Sequence, residues 1–442
     1  MIGAVVKALR AAFRQRHAAT EMCDPGAPSH GLPSAGHLAV ITSPVPGHLN
    51  PLQVLGRELS ARGWRVSVVH MASARRFVTD PALEFVSLPG AAADDRFDGY
   101  LSLLARPGGL LGLNRMIRAT ATMTERLLDE APGVLERIGA TAVLADAVEP
   151  AGPLIAQRLG LPFAVATTGL PLLTEADVPP PFLGWPYRGD QLGRFRNSGG
   201  YVVTNILMRP ITRTIAARRR AWGLADDGAP CVQVAQCPQA LDFPRRALPA
   251  TFRYGAPWRS DEVEAPELPD DGVPLIYCSL GTLQGARPAL FATMATACAM
   301  IGARAVIGHG GGLSPAEEAA LPGNPLVRAF WPQAAVLRRC SAAVLHGGFN
   351  SVLDALAAGV PIVALPIAFE QPATAARVAR VGAGRMLSPH RLSAAALADT
   401  LRAVIERPGY AQAARGLAAE IAHGGGAADA AAAITAALAT PA

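Results

Sequence analysis

Lysine is all but missing from this chain: of 40 basic residues Lys7 is the only one, and the rest are arginine. Such a skew follows coding bias before function. The arginines are scattered and never interleaved with aromatic residues, which are themselves sparse at 5%. That pattern excludes a nucleic-acid surface, and no nucleic-acid partner is expected. Cysteine is scarce as well, with Cys23, Cys231, Cys237, Cys278, Cys298 and Cys340 making up the whole set. None forms the close Cys-x-x-Cys pair of a zinc site or the framework of a small disulfide-stapled domain, so a reducing cytoplasm is the expected setting. No apolar run reaches the roughly 18–20 residues of a membrane-spanning helix before Arg, Pro or Gly interrupts it. Residues 1–20 also lack the apolar core of a secretory signal, although Ile2, Val5, Val6, Leu9 and Phe13 alternate with Lys7, Arg10, Arg14 and Arg16. A short basic amphipathic helix on anionic lipid and a frayed terminus both fit that stretch.

What remains is a long, half-hydrophobic chain of 442 residues with a net charge of +6. At about 150 residues per domain it should form two or three globular units with ample core. Residues 22–36 are rich in Pro, Gly and Ser, so 1–36 read as a flexible extension and the fold proper begins near 37. Leu38–Ile41 reads as a buried strand. After the loop Ser43–Leu49, Asn50 caps a helix with Pro51 in its first turn, Leu52, Leu55 and Leu59 on one face and Gly63 at its end; Trp64–His70 is the next strand. Strand, helix, strand is a βαβ unit, and it recurs at Ala142–Ala145 and Pro162–Ala166. The second half repeats it at Leu275–Cys278, Arg304–Ile307, Leu326–Phe330, Ala342–Leu345 and Pro361–Leu365. The expected class is α/β, with two doubly wound, Rossmann-like parallel-sheet domains facing a cleft. They should span 37–250 and 275–442, joined by a Pro- and acid-rich linker over 251–274. The Ala-rich tail at 409–441 is expected to be helical, with no obvious sheet to join.

In open α/β sheets ligands sit beyond the carboxyl ends of the strands. The strand ending at Leu345 runs into His346-Gly347-Gly348-Phe349-Asn350-Ser351 and a helix carrying Asp354. The two glycines would let backbone N–H groups approach an anion at a helix N-terminus; a capped helix with a buried histidine would look the same if the loop stood alone. It does not stand alone. Ser279-Leu280-Gly281-Thr282 follows the first strand of this half, Phe330-Trp331-Pro332-Gln333 lies upstream, and Glu370-Gln371 lies downstream, each just past a strand. An aromatic ring and an amide suit a nucleobase, hydroxyls suit phosphate, and an acid beside an amide suits sugar hydroxyls. Together they describe a nucleotide sugar.

The stretch Phe330–Gln371 resembles the donor-binding signature of the UDP-sugar glycosyltransferases of GT-B architecture, with its Trp-x-Pro-Gln start and His-x-Gly-Trp-Asn-Ser centre. Phe330 and Phe349 stand where that signature has tryptophan. The resemblance implies that Phe330 stacks on uracil, Trp331 and Gln333 contact base or ribose, and Asp354 takes the ribose hydroxyls. It implies that Ser279, Thr282, His346, Gly348, Asn350 and Ser351 hold the diphosphate, and that Glu370 and Gln371 face the hexose. The sequence contains no Asp-x-Asp pair, the usual carboxylate bracket for a divalent cation on a diphosphate. No metal or cofactor is expected, the UDP-sugar being a cosubstrate, so the helix dipole, His346 and hydroxyls must meet the leaving-group charge.

In the first half, Pro46-Gly47-His48-Leu49-Asn50-Pro51 sets a histidine after the first strand. By itself such a histidine could bind backbone only; an imidazole there also suits general-base work. Gly-His-x-Asn-Pro resembles the loop of the same family's catalytic histidine, which implies that His48 is the base and Asp146 the carboxylate orienting it, with Glu149 as fallback. Asp146–Ala151, Asp177–Trp185, Ser279–Gly285 and Leu365–Pro372 further resemble the bacterial zeaxanthin glucosyltransferases, over roughly 37 to 420. That implies inverting transfer of a hexose to a hydroxyl of a lipophilic acceptor. Leu101, Leu103, Leu104, Leu110 and Leu111 are candidate lining for it, though leucines at such spacing also serve ordinary helix packing. The expected setting is the cytoplasm, with peripheral contact at the inner membrane surface through residues 7–16 and 101–111. The rival readings are a polyketide or macrolide glycosyltransferase, a sugar-nucleotide epimerase and a non-catalytic nucleotide-sugar-binding protein.

Overall fold

The computed structural model describes residues 35–90, 95–105, 109–225, 228–260, 264 and 266–439. Nearly all of the expected extension at 1–36 therefore lies outside the described residues. The chain forms two compact units, and each has its own sheet.

The first unit is built on β1 (Gly36–Ile41), β2 (Trp64–His70), β3 (Glu84–Ser87), β4 (Ala142–Asp146), β5 (Phe163–Thr167), β6 (Val232–Ala235) and β7 (Phe252–Tyr254). Their order is β3-β2-β1-β4-β5-β6-β7, and every pairing is parallel. The central strands are continuous apolar runs, with Leu38 to Ile41 and Val143 to Ala145 fully buried. Strands covered by helices on both faces need that composition, because neither face meets water.

Helix α1 (Pro46–Ser60) crosses from β1 to β2 and buries Leu49, Leu52, Leu55 and Leu59. It starts four residues before Asn50, the cap expected from sequence. Proline already carries the helical φ and has no N–H to leave unsatisfied, so Pro46 serves as the first helical residue and Pro51 is tolerated inside. His48 consequently sits in the first turn of a helix and not on a loop. Later in this unit come α2 (Gln191–Leu207) and α3 (Arg209–Ala221).

The second unit holds β8 (Leu275–Ser279), β9 (Arg304–Gly308), β10 (Leu326–Arg328), β11 (Ala342–Leu345), β12 (Ile362–Ala364) and β13 (Gly384–Met386). Their order, β10-β9-β8-β11-β12-β13, is again wholly parallel. α4 (Phe349–Ala357) follows β11, and α5 (Gln371–Arg380) follows β12.

The expected boundaries need correction. β7 and the buried Trp258 fall inside the presumed linker, and the first unit runs on to Ser260. Residues 181–186 group with the second unit. The chain's last helix, α6 (Ala427–Ala439), packs on α1, β5 and β6 of the first unit instead of ending the second. Its face of small residues, with Ala427, Ala430, Ala431 and Ile434 buried, allows that close approach, and Thr435 accepts the Trp64 indole N–H at 3.1 Å.

Candidate active site

In each sheet the strand order reverses at the centre, between β1 and β4 and between β8 and β11. Crevices at such switch points are where open α/β sheets bind ligands. The candidate residues converge on both.

In the first unit Ile41 pairs with Ala145 in register, so the next residues, Thr42 and Asp146, stand side by side at the strand ends. The Thr42 hydroxyl donates to Asp146 Oδ2 at 2.8 Å, and His48 Nδ1 lies 2.9 Å from the same oxygen. The carboxylate is fully buried while the imidazole is 22% exposed. Thr168, one residue past β5, brings its hydroxyl to 2.7 Å from His48 Nδ1. A buried anion on Nδ1 fixes the ring with Nε2 as the basic nitrogen. Glu149, the fallback partner, is otherwise engaged. Its Oε1 accepts from the Thr124 hydroxyl at 3.0 Å and the Ala151 N–H at 3.2 Å, and burial pushes its carboxyl up to about 7.

The sequence reading missed Thr42 and Thr168. Thr42 had a detectable signal, a hydroxyl at a strand's carboxyl end; Thr168 had none, because only the parallel pairing of β4 and β5 brings it to the histidine. Of the candidate acceptor leucines, Leu104 is buried, Leu101 and Leu103 are half-buried and Leu111 is exposed, while the side chain of Leu110 lies outside the described residues.

In the second unit His346 follows β11, paired beside β8, and its N–H donates to the Ser279 carbonyl at 3.2 Å. Its ring lies between Gly281 and Gly348: a Cβ on Gly281 would come within 2.7 Å of it, and any side chain on Gly348 would collide with it. Two glycines thus let an imidazole fill the loop. Burial pulls that imidazole down to about 4, so it is neutral near pH 7, and its buried Nδ1 has no hydrogen-bond partner among the described residues. His346 would therefore meet leaving-group charge as a neutral group. It offers a neutral nitrogen, next to the N-terminus of α4, which begins at Phe349 with Asn350 in its first turn.

A second cluster centres on Gln333. Its Nε2 donates to Asp354 Oδ2 at 2.6 Å, while its Oε1 accepts from the Tyr277 hydroxyl at 3.2 Å and the Ser351 hydroxyl at 3.4 Å. Ser351, assigned above to the diphosphate, therefore sits with the Gln333–Asp354 pair. Trp331 donates its indole N–H to the Ile307 carbonyl at 2.9 Å and carries the Arg328 guanidinium 4.2 Å above its ring, so the protein already occupies its polar edge and one face. Phe330 is half-buried beside it.

Two further candidate side chains are engaged with the backbone. The Ser279 hydroxyl donates to the Gly308 carbonyl at 3.0 Å and accepts the Gly281 N–H at 3.2 Å, which fixes its own loop. Gln371 is buried with its Oε1 accepting the Ile367 and Ala368 N–H groups at 2.8 and 2.9 Å. Both therefore brace the backbone of the loops in which the sequence places ligand contacts. Thr282 and Glu370 remain half-buried near these loops, Glu370 directly before α5.

Two zeaxanthin glucosyltransferases resemble this chain over most of its length. The one from Pseudescherichia vulneris is 35% identical over 362 residues, 80% of this chain and 86% of the relative. The one from Pantoea ananas is 35% identical over 396 residues, 85% and 90% of the two chains. The chain belongs to the GT-B glycosyltransferases. A family described as Erythromycin biosynthesis protein CIII-like, C-terminal domain, matches residues 313–436, which include the His346 loop, α4 and α5. Among solved structures, the glycosyltransferase of kitacinnamycin shares the fold with a TM-score of 0.72 at 22% identity, covering 91% of this chain and 99% of its own. This glycosyltransferase is an enzyme, which sets aside the epimerase and the non-catalytic binder.

Proposed function

We propose that the enzyme moves a hexose, glucose in the first instance, from UDP to a hydroxyl of a lipophilic acceptor, zeaxanthin or a related hydroxylated carotenoid. His48 Nε2 takes the acceptor's hydroxyl proton, Asp146 stabilises the resulting imidazolium, and the freed oxygen attacks the anomeric carbon. The bond to UDP breaks on the opposite side, the diphosphate leaves with the electron pair, and configuration inverts. No covalent sugar–enzyme intermediate is required, because the donor already carries a good leaving group and the protein need only position and stabilise. The observation that carries this reading is the buried Asp146 held on His48 Nδ1, in a chain 35% identical to zeaxanthin glucosyltransferases.

The second unit supports the donor half. Its switch point offers an anion the N-terminus of α4, closely packed glycines and a neutral imidazole with an unsatisfied nitrogen. Metal independence belongs to the same proposal: activity should persist in EDTA, and loss reversed by Mg²⁺ or Mn²⁺ would refute it. On this reading the enzyme works in the cytoplasm, where a membrane-resident acceptor meets it.

A polyketide acceptor is the second reading, favoured by the erythromycin-biosynthesis description of the matching family. The deciding experiment supplies UDP-glucose with zeaxanthin in vesicles, or with a macrolide aglycone, and identifies products by mass spectrometry. Glucosylated zeaxanthin bearing the inverted anomer supports the carotenoid reading. Transfer to the macrolide alone overturns it.

A further inference from the structure

Helix α2 is built inside out. The residues it buries are Gly193, Asn197 and Gly200, and Asn197 spends its amide on the Ala176 carbonyl at 2.9 Å. Most of the side chains it turns outward are apolar: Phe195 is 82% exposed and Leu192 66%, with Val202, Val203 and Ile206 also exposed, while the exposed polar residues Gln191, Ser198 and Asn205 lie to one side of them. At about 100° per residue these five apolar residues occupy one continuous arc of roughly 100°, so the exposure is a stripe and not a scatter. A water-facing helix is expected to show the reverse pattern, and an exposed apolar stripe of this size marks an interaction surface.

The charge around the stripe indicates what it meets. Between Arg188 and Trp222 the chain carries eight arginines against one acid, Asp190, a local excess larger than the net +6 of the whole protein. Some of that charge is spent: Arg188, Arg194 and Arg218 pair with Asp190, Asp177 and Asp129. Arg209, Arg213 and Arg220, on the adjoining α3, are exposed. A second copy of this chain docked face to face would set these arginines against one another. A surface of anionic headgroups over hydrocarbon matches both the charge and the stripe.

We propose that the outward face of α2, with the arginines of α3, docks the enzyme on an anionic phospholipid bilayer. The helix lies in the interface plane, Leu192, Phe195, Val202 and Ile206 enter the boundary between headgroups and acyl chains, and the guanidinium groups hold lipid phosphates. The proposal stands apart from the identity of the acceptor, since it rests on this surface alone.

The test is sedimentation of the full chain with vesicles of phosphatidylcholine alone and of phosphatidylcholine with 30% phosphatidylglycerol. The wild type should bind the anionic vesicles, and 0.5 M salt should weaken that binding. The double variant Phe195→Ser, Ile206→Ser and the pair Arg209→Glu, Arg213→Glu should each lower the partition coefficient about tenfold. Thermal unfolding and UDP titration, the latter reporting on the other unit, should match the wild type. The proposal fails if the wild type ignores anionic vesicles, or if it binds neutral ones as well. It also fails if these variants bind undiminished, which would shift the contact to residues 7–16. It fails, finally, if the wild type forms a dimer that the Phe195 and Ile206 changes abolish, because the stripe's occupant would then be a second copy.

Discussion

The Asp146 carboxylate lies 2.9 Å from His48 Nδ1 across 98 residues of sequence, and the oxygen involved also takes the Thr42 hydroxyl. One buried oxygen thus anchors both the first turn of α1 and the end of β1. Nδ1 has two neighbours, this carboxylate and the Thr168 hydroxyl at 2.7 Å. An anion is the stronger acceptor, so the Nδ1 proton goes to Asp146 and Thr168 accepts at most a share of it. Nε2 is then left unprotonated, which is the state a general base requires.

His48→Ala should lower kcat by about 10²–10⁴-fold, the usual worth of a positioned base. UDP-sugar affinity, assigned to the other unit, should change little. Single-turnover kinetics with a separate UDP titration would check both, and wild-type turnover would refute the base assignment. Asp146→Asn should also be slow, because an amide in that place can donate to Nδ1 and so put the ring proton on Nε2.

Thr168→Val separates the two neighbours of Nδ1. If Asp146 sets the tautomer, the variant keeps the base and loses only a positioning contact, so its kcat should fall less than that of Asp146→Asn. A loss equal to that of Asp146→Asn, accompanied by the same change in the pH–rate profile, would show that the threonine holds the ring.

What the sequence made legible follows from period and spacing. Buried parallel strands write themselves as short apolar runs, so Leu38–Ile41 and Ala342–Leu345 could be read directly. β3, β7 and β13 could not, being three or four residues long and partly exposed. Motifs located the loops but not the direction of each side chain within them. Ser279 and Gln371 lie in the expected loops yet turn to backbone groups, which depends on local carbonyl and N–H positions that no spacing encodes. The placement of α6 was hidden for a related reason, since an alanine-rich helix shows no preference for one sheet over another.

The bracing role of Gln371 has a consequence. Gln371→Ala removes the acceptor for two backbone N–H groups in one loop, and a buried donor left without a partner costs about 1–3 kcal/mol. A lowered melting temperature with loss of UDP-sugar use is expected. Gln371→Glu, which keeps an acceptor oxygen, should recover much of the stability. In the neighbouring cluster, Asp354→Ala frees Gln333 Nε2 and should weaken UDP binding itself, measured by calorimetry. Unchanged UDP affinity would remove Asp354 from the donor site.

Glu149 gives the enzyme a pH-dependent stability. Its carboxyl rises from 4.5 to about 7 because burial disfavours the charged form. Below about 4.5 both folded and unfolded chains hold the proton, and the neutral buried group contributes its full stability. Between 4.5 and 7 only the folded chain keeps it, so stability falls as pH rises, and above 7 the folded protein must carry a buried carboxylate near Asp146. Glu149→Gln keeps an acceptor for the Thr124 hydroxyl and the Ala151 N–H while removing the titration. Melting temperatures of the two proteins should therefore diverge as pH increases from 5 to 8, with the glutamine variant gaining on the wild type. Parallel curves would mean that Glu149 is ionised throughout, and the assignment of a neutral acid beside the His48–Asp146 pair would fall with it.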